Sequence, residues 1–156
     1  MNEYYLETPD GLVIRGAVDD RQMIALFTLW QQWTEEEGQE FKVQAWAEYM
    51  FGMIKTGHYT PLVVYDGDTP VGMVECSWTI DPFDGTKHGF GDHAYVIKAY
   101  RRTTLFAQLV DACMEVSDTW ETAHQTLPVD MDVEFLMKVY ERKGFRLSGF
   151  LMTRKQ

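Results

Sequence analysis

Apolar side chains recur at helical spacing in two long stretches near the N-terminus. In the first, Asp19 and Asp20 are candidates for the helix N-cap, and the run ends at Gly38. The second covers residues 41–54 and stops at Gly57. Two helices are therefore predicted. Their aromatic stripes are more typical of a core than of a ligand cage; they comprise Met23, Ile24, Phe27, Trp30 and Trp33 in the first helix and Phe41, Trp46, Tyr49, Met50, Met53 and Ile54 in the second.

Shorter segments with alternating or β-branched residues predict strands. Leu12–Ala17 is the first of them, and Pro61–Tyr65 and Val71–Ile80 flank a turn-rich segment and predict a hairpin. Within the return strand Val74, Cys76, Trp78 and Ile80 share one face, so Glu75 belongs to the opposite face. The segment Asp81–Gly91 contains a proline and three glycines and is predicted to be a loop.

The second half of the chain alternates strands and helices. The predicted elements, in order, are a strand at His93–Lys98, a turn at Arg101–Thr104, an amphipathic helix at Leu105–Glu121, a strand at Val129–Val133, a short helix at Glu134–Lys143 closed by Gly144, and one or two strands within Phe145–Arg154. A hairpin meander is thus combined with βαβ crossovers. This order predicts one α+β domain over residues 1–156.

Charge is distributed unevenly along the chain. The net charge is −10; residues 1–97 carry 16 acidic and 5 basic side chains, whereas residues 98–156 carry 8 and 9. The acidic balance argues against nucleic-acid binding. An acidic first half suits a cationic ligand and the second half an anionic one, although ordinary solubilising charge explains the same numbers.

Localisation, cysteines and metal sites give simpler expectations. The chain has no signal-peptide pattern and no run of about 20 apolar residues, which predicts a cytoplasmic protein, or one packaged from the cytoplasm, without a membrane partner. Cys76 and Cys113 are expected to be buried free thiols. No metal site is predicted, because the acidic and histidine residues of the 81–93 segment match no metal-binding loop.

Two short motifs carry more specific information. Arg101-Arg102-Thr103-Thr104-Leu105-Phe106 stands between a predicted strand and a helix, and Tyr140-Glu141-Arg142-Lys143-Gly144-Phe145 ends the short helix. In this order and spacing the chain resembles the GNAT-type N-acetyltransferases. The resemblance covers nearly the whole chain in topology and about residues 94–145 in motif. It implies a central mixed, mostly antiparallel sheet flanked by about four helices.

The resemblance implies acetyl-CoA as co-substrate, bound at the turn before the long helix. Helix N-terminal amides attract the pyrophosphate there, and family members have glycines that allow its approach. Thr104 and Phe106 stand at the two glycine positions, so the turn is degenerate. The cofactor-binding residues implied are Val96, Lys98, Arg101, Arg102, Thr103 and Thr104. The alternative is a solvated arginine turn with a vestigial pocket.

Catalytic roles follow from the same resemblance. Tyr140 matches the family tyrosine that donates a proton to the leaving thiolate. The general base that deprotonates the ammonium is left open among Glu75, Asp92 and His93, with Glu75 or His93 favoured.

Two functions are expected on this basis. The first is acetyl-CoA-dependent N-acetyltransferase activity on a primary amine of a small cationic molecule or a protein. The second is a catalytically inactive GNAT-fold protein that binds a protein partner, as a homo-oligomer or in a virion, because degenerate GNAT-like chains resemble small proteins of tailed phages.

Overall fold

The computed structural model describes residues 3–101, 103–127 and 133–147. Its first two strands form a short antiparallel ribbon. Strand β1 (Tyr4–Glu7) pairs with strand β2 (Val13–Gly16). The predicted first strand, Leu12–Ala17, is confirmed as β2. Strand β1 was not predicted, because four residues at the edge of a sheet carry too few alternations to be recognised.

The two predicted helices are present and are separated by six residues. Helix α1 (Asp20–Glu36) begins after Asp19, whose carboxylate accepts a hydrogen bond from the Gln22 backbone N–H at 2.9 Å. Helix α2 (Val43–Thr56) ends at Gly57, whose φ of +70° is the left-handed conformation that closes a helix. The N-cap and C-cap predictions are both confirmed.

The Asp19 cap gives a test of how α1 is held. We expect Asp19→Ala to lower the free energy of unfolding by about 1 to 2 kcal/mol. The hydrogen bond from Arg15 lowers the pKa of Asp19, so this contribution is present at neutral pH and is lost as the pH falls through that lowered value. Urea denaturation at pH 7 and in acid checks both statements. The matched change Asp20→Ala, at an exposed first-turn position, should cost less, and an equal cost would contradict the capping role.

Three long antiparallel strands form the middle of the sheet. They are β3 (Tyr59–Asp66), β4 (Thr69–Ile80) and β5 (Lys87–Val96). The predicted hairpin is confirmed, but the prediction of a loop up to Gly91 is wrong, because β5 already begins at Lys87. A Cβ at Gly91 would lie 2.6 Å from the Leu127 side chain and 3.3 Å from Cys113. Glycine is therefore present where Leu127 and a helix residue, Cys113, pack closely on the strand, not where the strand is interrupted.

The chain then crosses to the other side of the sheet. A 3-10 turn (Lys98–Tyr100) ends the strand earlier than predicted, and helix α3 (Thr103–Thr119) leads to strand β6 (His124–Thr126), which pairs parallel with β5. Helix α4 (Val133–Arg142) follows. The predicted strand at 129–133 falls mainly outside the described residues, as do the final strands predicted within 145–154.

The described strands form one six-stranded sheet in sequence order with a single parallel pair, β5–β6. This confirms the α+β class and the mixed, mostly antiparallel sheet. Helices α1 and α2 cover one face, where Leu26, Leu29 and Met73 are buried, and α3 covers the other, where Cys76 and Cys113 are buried with their sulfurs 3.3 Å apart. The expectation of buried free thiols is confirmed. No helix in the described ranges is long and apolar enough to cross a membrane.

Candidate functional site

A bulge in β5 places a histidine above the centre of the sheet. Met73 pairs with Tyr95 and Glu75 pairs with Asp92, so β5 uses one residue more than β4 between these pairs. His93 lies in the bulge with φ +48°, a left-handed conformation that is uncommon outside glycine. Bulges redirect side chains. This one brings the imidazole to the face covered by α1 and α2.

The histidine meets a buried carboxylate. His93 Nδ1 lies 2.8 Å from Glu75 Oε2, and the Glu75 side chain is only 2% exposed whereas that of His93 is 39% exposed. The Tyr59 hydroxyl donates to Glu75 Oε1 at 2.6 Å, and the Tyr49 hydroxyl donates to Oε2 at 3.2 Å. Glu75 thus accepts from two phenols and faces the imidazole nitrogen. The prediction that Glu75 points away from the Cys76 face is confirmed.

These contacts fix the chemical roles of the four groups. Burial raises the pKa of both Tyr49 and Tyr59, and the nearby Glu75 charge raises them further, so both phenols stay protonated and act as donors. With the carboxylate ionised, the His93 Nδ1–H donates to it. The lone pair of neutral His93 then resides on Nε2. The arrangement is an imidazole oriented by a buried carboxylate, and it brings together Glu75 and His93, the two favoured candidates for the base.

Aromatic rings surround His93. Its ring centroid is 5.0 Å from Trp30, 5.5 Å from Tyr49 and 6.4 Å from Trp33. We call these three partly exposed rings the aromatic wall. Trp33 is stacked on the buried Tyr95 ring at 5.8 Å, which fixes the end of α1 over the strand.

An ion pair joins α1 to the end of β5. Arg101 Nη2 lies 2.6 and 2.7 Å from the two carboxylate oxygens of Glu36, and Arg101 Nε donates to the Val96 carbonyl at 2.8 Å. The Arg101 guanidinium lowers the pKa of Glu36. Tyr95 also donates to Glu36, at 3.0 Å. Arg101, predicted to hold a pyrophosphate, therefore has its side chain on the α1 face in this structure.

The other predicted cofactor residues lie around the start of α3. Lys98 is exposed in the 3-10 turn, and Thr104 is exposed in the first turn of the helix, which begins one residue before it. Val96 ends β5 opposite Gly72. Arg102 lies outside the described residues, and only the backbone of Thr103 is described.

The backbone offers an elongated acyl thioester a place to bind. Strand β6 pairs with β5 only at His88–Phe90, and in the described ranges no strand pairs with that edge from Gly91 to Val96. Where a strand edge has no neighbour among the described residues, its N–H and C=O groups can pair with an amide-containing chain such as pantetheine. The α3 N-terminus at the end of the same strand suits the negative charge of a pyrophosphate. Both features fit acetyl-CoA.

Tyr140 lies on the α3 side of the sheet. It is 8% exposed and packs between Phe106, at 5.9 Å, and Phe145, at 5.8 Å. Phe106, at the second glycine position of the motif, thus packs inward against α4. Tyr140 therefore belongs to a different side-chain cluster from Glu75 and His93. For all three residues to act in one reaction, the bound substrates must extend from one face of the sheet to the other.

Tyr49 and Tyr59 belong to the site although no sequence pattern predicts it. Tyr49 was assigned to a core stripe of α2, and Tyr59 lies just before the predicted hairpin strand. A phenol that donates to a buried carboxylate has no periodicity signal of its own. Asp92, the third candidate base, is exposed next to His93. Within the described ranges, no group of three or more His, Cys, Asp or Glu side chains could hold a metal ion.

Comparisons with known proteins bear on this geometry. Residues 18–145 match the profile of the Acetyltransferase (GNAT) family. A comparison with curated proteins found no match.

Solved structures share the fold. An aminoglycoside N-acetyltransferase AAC(6')-Iy in complex with CoA is 14% identical, with a TM-score of 0.74 and coverage of 96% of this chain and 98% of that one. A predicted acetyltransferase with acetyl-CoA from Clostridium acetobutylicum is 12% identical, with a TM-score of 0.71 and coverage of 92% and 96%. A transcriptional regulator from Bacillus halodurans is 17% identical, with a TM-score of 0.73 and coverage of 93% and 99%.

Proposed function

The chain belongs to the acetyltransferase (GNAT) family, and we propose that it is an acetyl-CoA-dependent N-acetyltransferase that acts on a primary amine of a small cationic molecule or a protein. One observation carries the proposal: the His93 imidazole is held 2.8 Å from the buried Glu75 carboxylate, at the bulge of strand β5. Acyl transfer to an amine needs a base at this position, because an ammonium has no lone pair with which to attack.

His93 and Glu75 divide the work of the base. His93 Nε2 takes a proton from the acceptor ammonium, which frees the nitrogen lone pair for attack on the acyl carbon. The imidazolium that forms lies against the Glu75 carboxylate, which stabilises its charge and holds its orientation. Tyr59 and Tyr49 keep that carboxylate in place by their two hydrogen bonds. Glu75 is thus a positioning residue, and His93 touches the substrate.

Acetyl-CoA would supply the acetyl group as an activated thioester. We assign its pyrophosphate to the α3 N-terminus, with Thr103, Thr104 and Arg102 nearest and Lys98 adding charge, and its amide chain to the β5 edge up to Val96. Arg101 joins this set only if it leaves Glu36. When the carbon–sulfur bond breaks, Tyr140 is proposed to give its hydroxyl proton to the sulfur. The second proton, lost by the nitrogen after attack, restores the Tyr140 hydroxyl through solvent, and the proton held by His93 leaves to water.

A second candidate is a catalytically inactive GNAT-fold protein with a protein partner. The observation that favours it is the Arg101–Glu36 ion pair, which holds the Arg101 side chain of the turn motif against α1. In this case the acyl-CoA pocket would be vestigial, and the aromatic wall would form part of an interface.

Calorimetric titration separates these two candidates. We expect acetyl-CoA to bind with a dissociation constant in the micromolar range, which corresponds to about −8 kcal/mol. Addition of a primary amine to the complex should then release free CoA thiol, which a thiol reagent detects. Absence of binding heat at two temperatures would reject the enzyme proposal and favour the scaffold, and binding without thiol release on any amine would reject transfer activity alone.

A further inference from the structure

The aromatic wall around His93 offers ring faces but few polar groups. The Tyr49 hydroxyl already donates a hydrogen bond to Glu75, and the Tyr95 hydroxyl donates one to Glu36. The indole N–H of Trp30 is buried and has no acceptor in the described part of the chain. A ligand that approaches His93 past this wall therefore meets aromatic carbon. An amino sugar, whose many hydroxyls need partners, would lose hydrogen bonds on such a surface.

A cation with an apolar stem matches the same surface. The faces of tryptophan and tyrosine attract an ammonium within about 6 Å, and they also cover methylene groups. The acidic side chains near the wall have the complementary charge: Asp92 is exposed beside His93, and Glu37, the C-cap residue of α1, is exposed four residues after Trp33. Glu36 is already paired with Arg101 and so adds little net charge.

We propose that the acceptor group is an unbranched alkylammonium, as found in a linear polyamine or a lysine side chain, with its methylenes against Trp33 and Trp30 and its nitrogen at His93. This inference rests on the proposed transfer activity and narrows its substrate class. Trp33 is then a specificity residue. Its ring is fixed by the stack on Tyr95, so the wall is already formed before the amine arrives.

Steady-state kinetics with three acceptors test this. Cadaverine represents a free linear polyamine, and a lysine blocked at both termini represents a lysine side chain in a protein. Kanamycin represents the amino sugars. We expect the wild-type protein to prefer one or both alkylamines over kanamycin by at least about tenfold in kcat/KM. Trp33→Leu should raise the alkylamine KM about 3- to 30-fold with little change in kcat, because a cation–π contact is lost.

Two variants control for folding and for the loss of any tryptophan. Trp33→Phe retains a ring and should recover most of the affinity. Trp78→Leu removes a tryptophan that is stacked on His58 on the opposite face from Glu75, and it should leave KM unchanged. A preference for kanamycin, or equal KM values for the Trp33→Leu and Trp78→Leu variants, would overturn the inference while the transferase proposal stands.

Binding alone tests the alkylammonium site if the protein shows no turnover. Cadaverine and blocked lysine are then titrated calorimetrically into the wild-type protein, Trp33→Leu and Trp78→Leu. Binding that weakens in Trp33→Leu but not in Trp78→Leu supports the alkylammonium site, and the missing turnover then rejects acetyl transfer alone. No binding of either amine to the wild-type protein rejects the site.

Discussion

Replacement of His93 by glutamine is expected to lower kcat/KM for the amine by about 10²- to 10⁴-fold, the usual contribution of a general base. Glutamine has no basic nitrogen, so the ammonium must lose its proton to water. The affinity for acetyl-CoA should change less than about threefold, because the imidazole lies on the α1 and α2 face and the α3 N-terminus is untouched. Initial rates and a calorimetric titration of the same preparation check both parts.

The pH dependence of the rate provides an independent readout. Neutral His93 is the active form, so the wild-type rate should fall as the pH drops and the imidazole gains a proton. In His93→Gln this acid limb should disappear. His58→Gln is the matched control, since the His58 ring is stacked on Trp78, with the ring centroids 3.7 Å apart. A His93→Gln variant that keeps both its rate and its acid limb would show that another group is the base.

The parts of the fold that the sequence predicted are those with a local cause. Helices α1 and α2 have a repeating apolar side together with an Asp19 cap and a Gly57 stop, and each of these signals acts within a few residues. The face of Glu75 followed from simple alternation along β4. The family motifs added the topology of the second half, because their order constrains which strand precedes which helix.

The errors have a non-local cause. The start of β5 contains Gly89 and Gly91, which in isolation indicate a loop. In the structure a Cβ at Gly89 would lie 2.9 Å from the Ser117 hydroxyl of α3. Only the packing of a helix 28 residues away in sequence explains why glycine is required within a strand.

The candidate site was predictable only in part, because its residues are joined by contacts between distant parts of the chain. Glu75 and His93 were both named, because each is a titratable residue on or beside a central strand. The sequence could not show that they touch, since their contact depends on a one-residue bulge in β5. Nor could it predict the Arg101–Glu36 pair, which joins residues 65 positions apart. That pair changes how the turn motif must be interpreted.

Replacement of Glu75 by glutamine is expected to lower kcat by about 10²-fold or more, although the side chain keeps its shape. The amide cannot neutralise the imidazolium that His93 becomes. The acid limb of the rate should therefore move to lower pH, because protonation of His93 is less favoured without the carboxylate. KM for the amine should change little, since Glu75 is 2% exposed and lies behind the imidazole. A pH profile of kcat is the measurement.

Stability separates the positioning role of Glu75 from a purely structural one. In Glu75→Gln a neutral amide replaces the carboxylate that accepts from the Tyr59 and Tyr49 hydroxyls. The free energy of unfolding should therefore fall by about 1 to 3 kcal/mol. Glu115→Gln is a matched control, because Glu115 accepts from the Tyr4 hydroxyl at 2.9 Å at an exposed position. It should leave kcat and its pH profile unchanged. If Glu75→Gln lost stability but kept kcat and the acid limb, the carboxylate would only support the fold, and His93 would act without it.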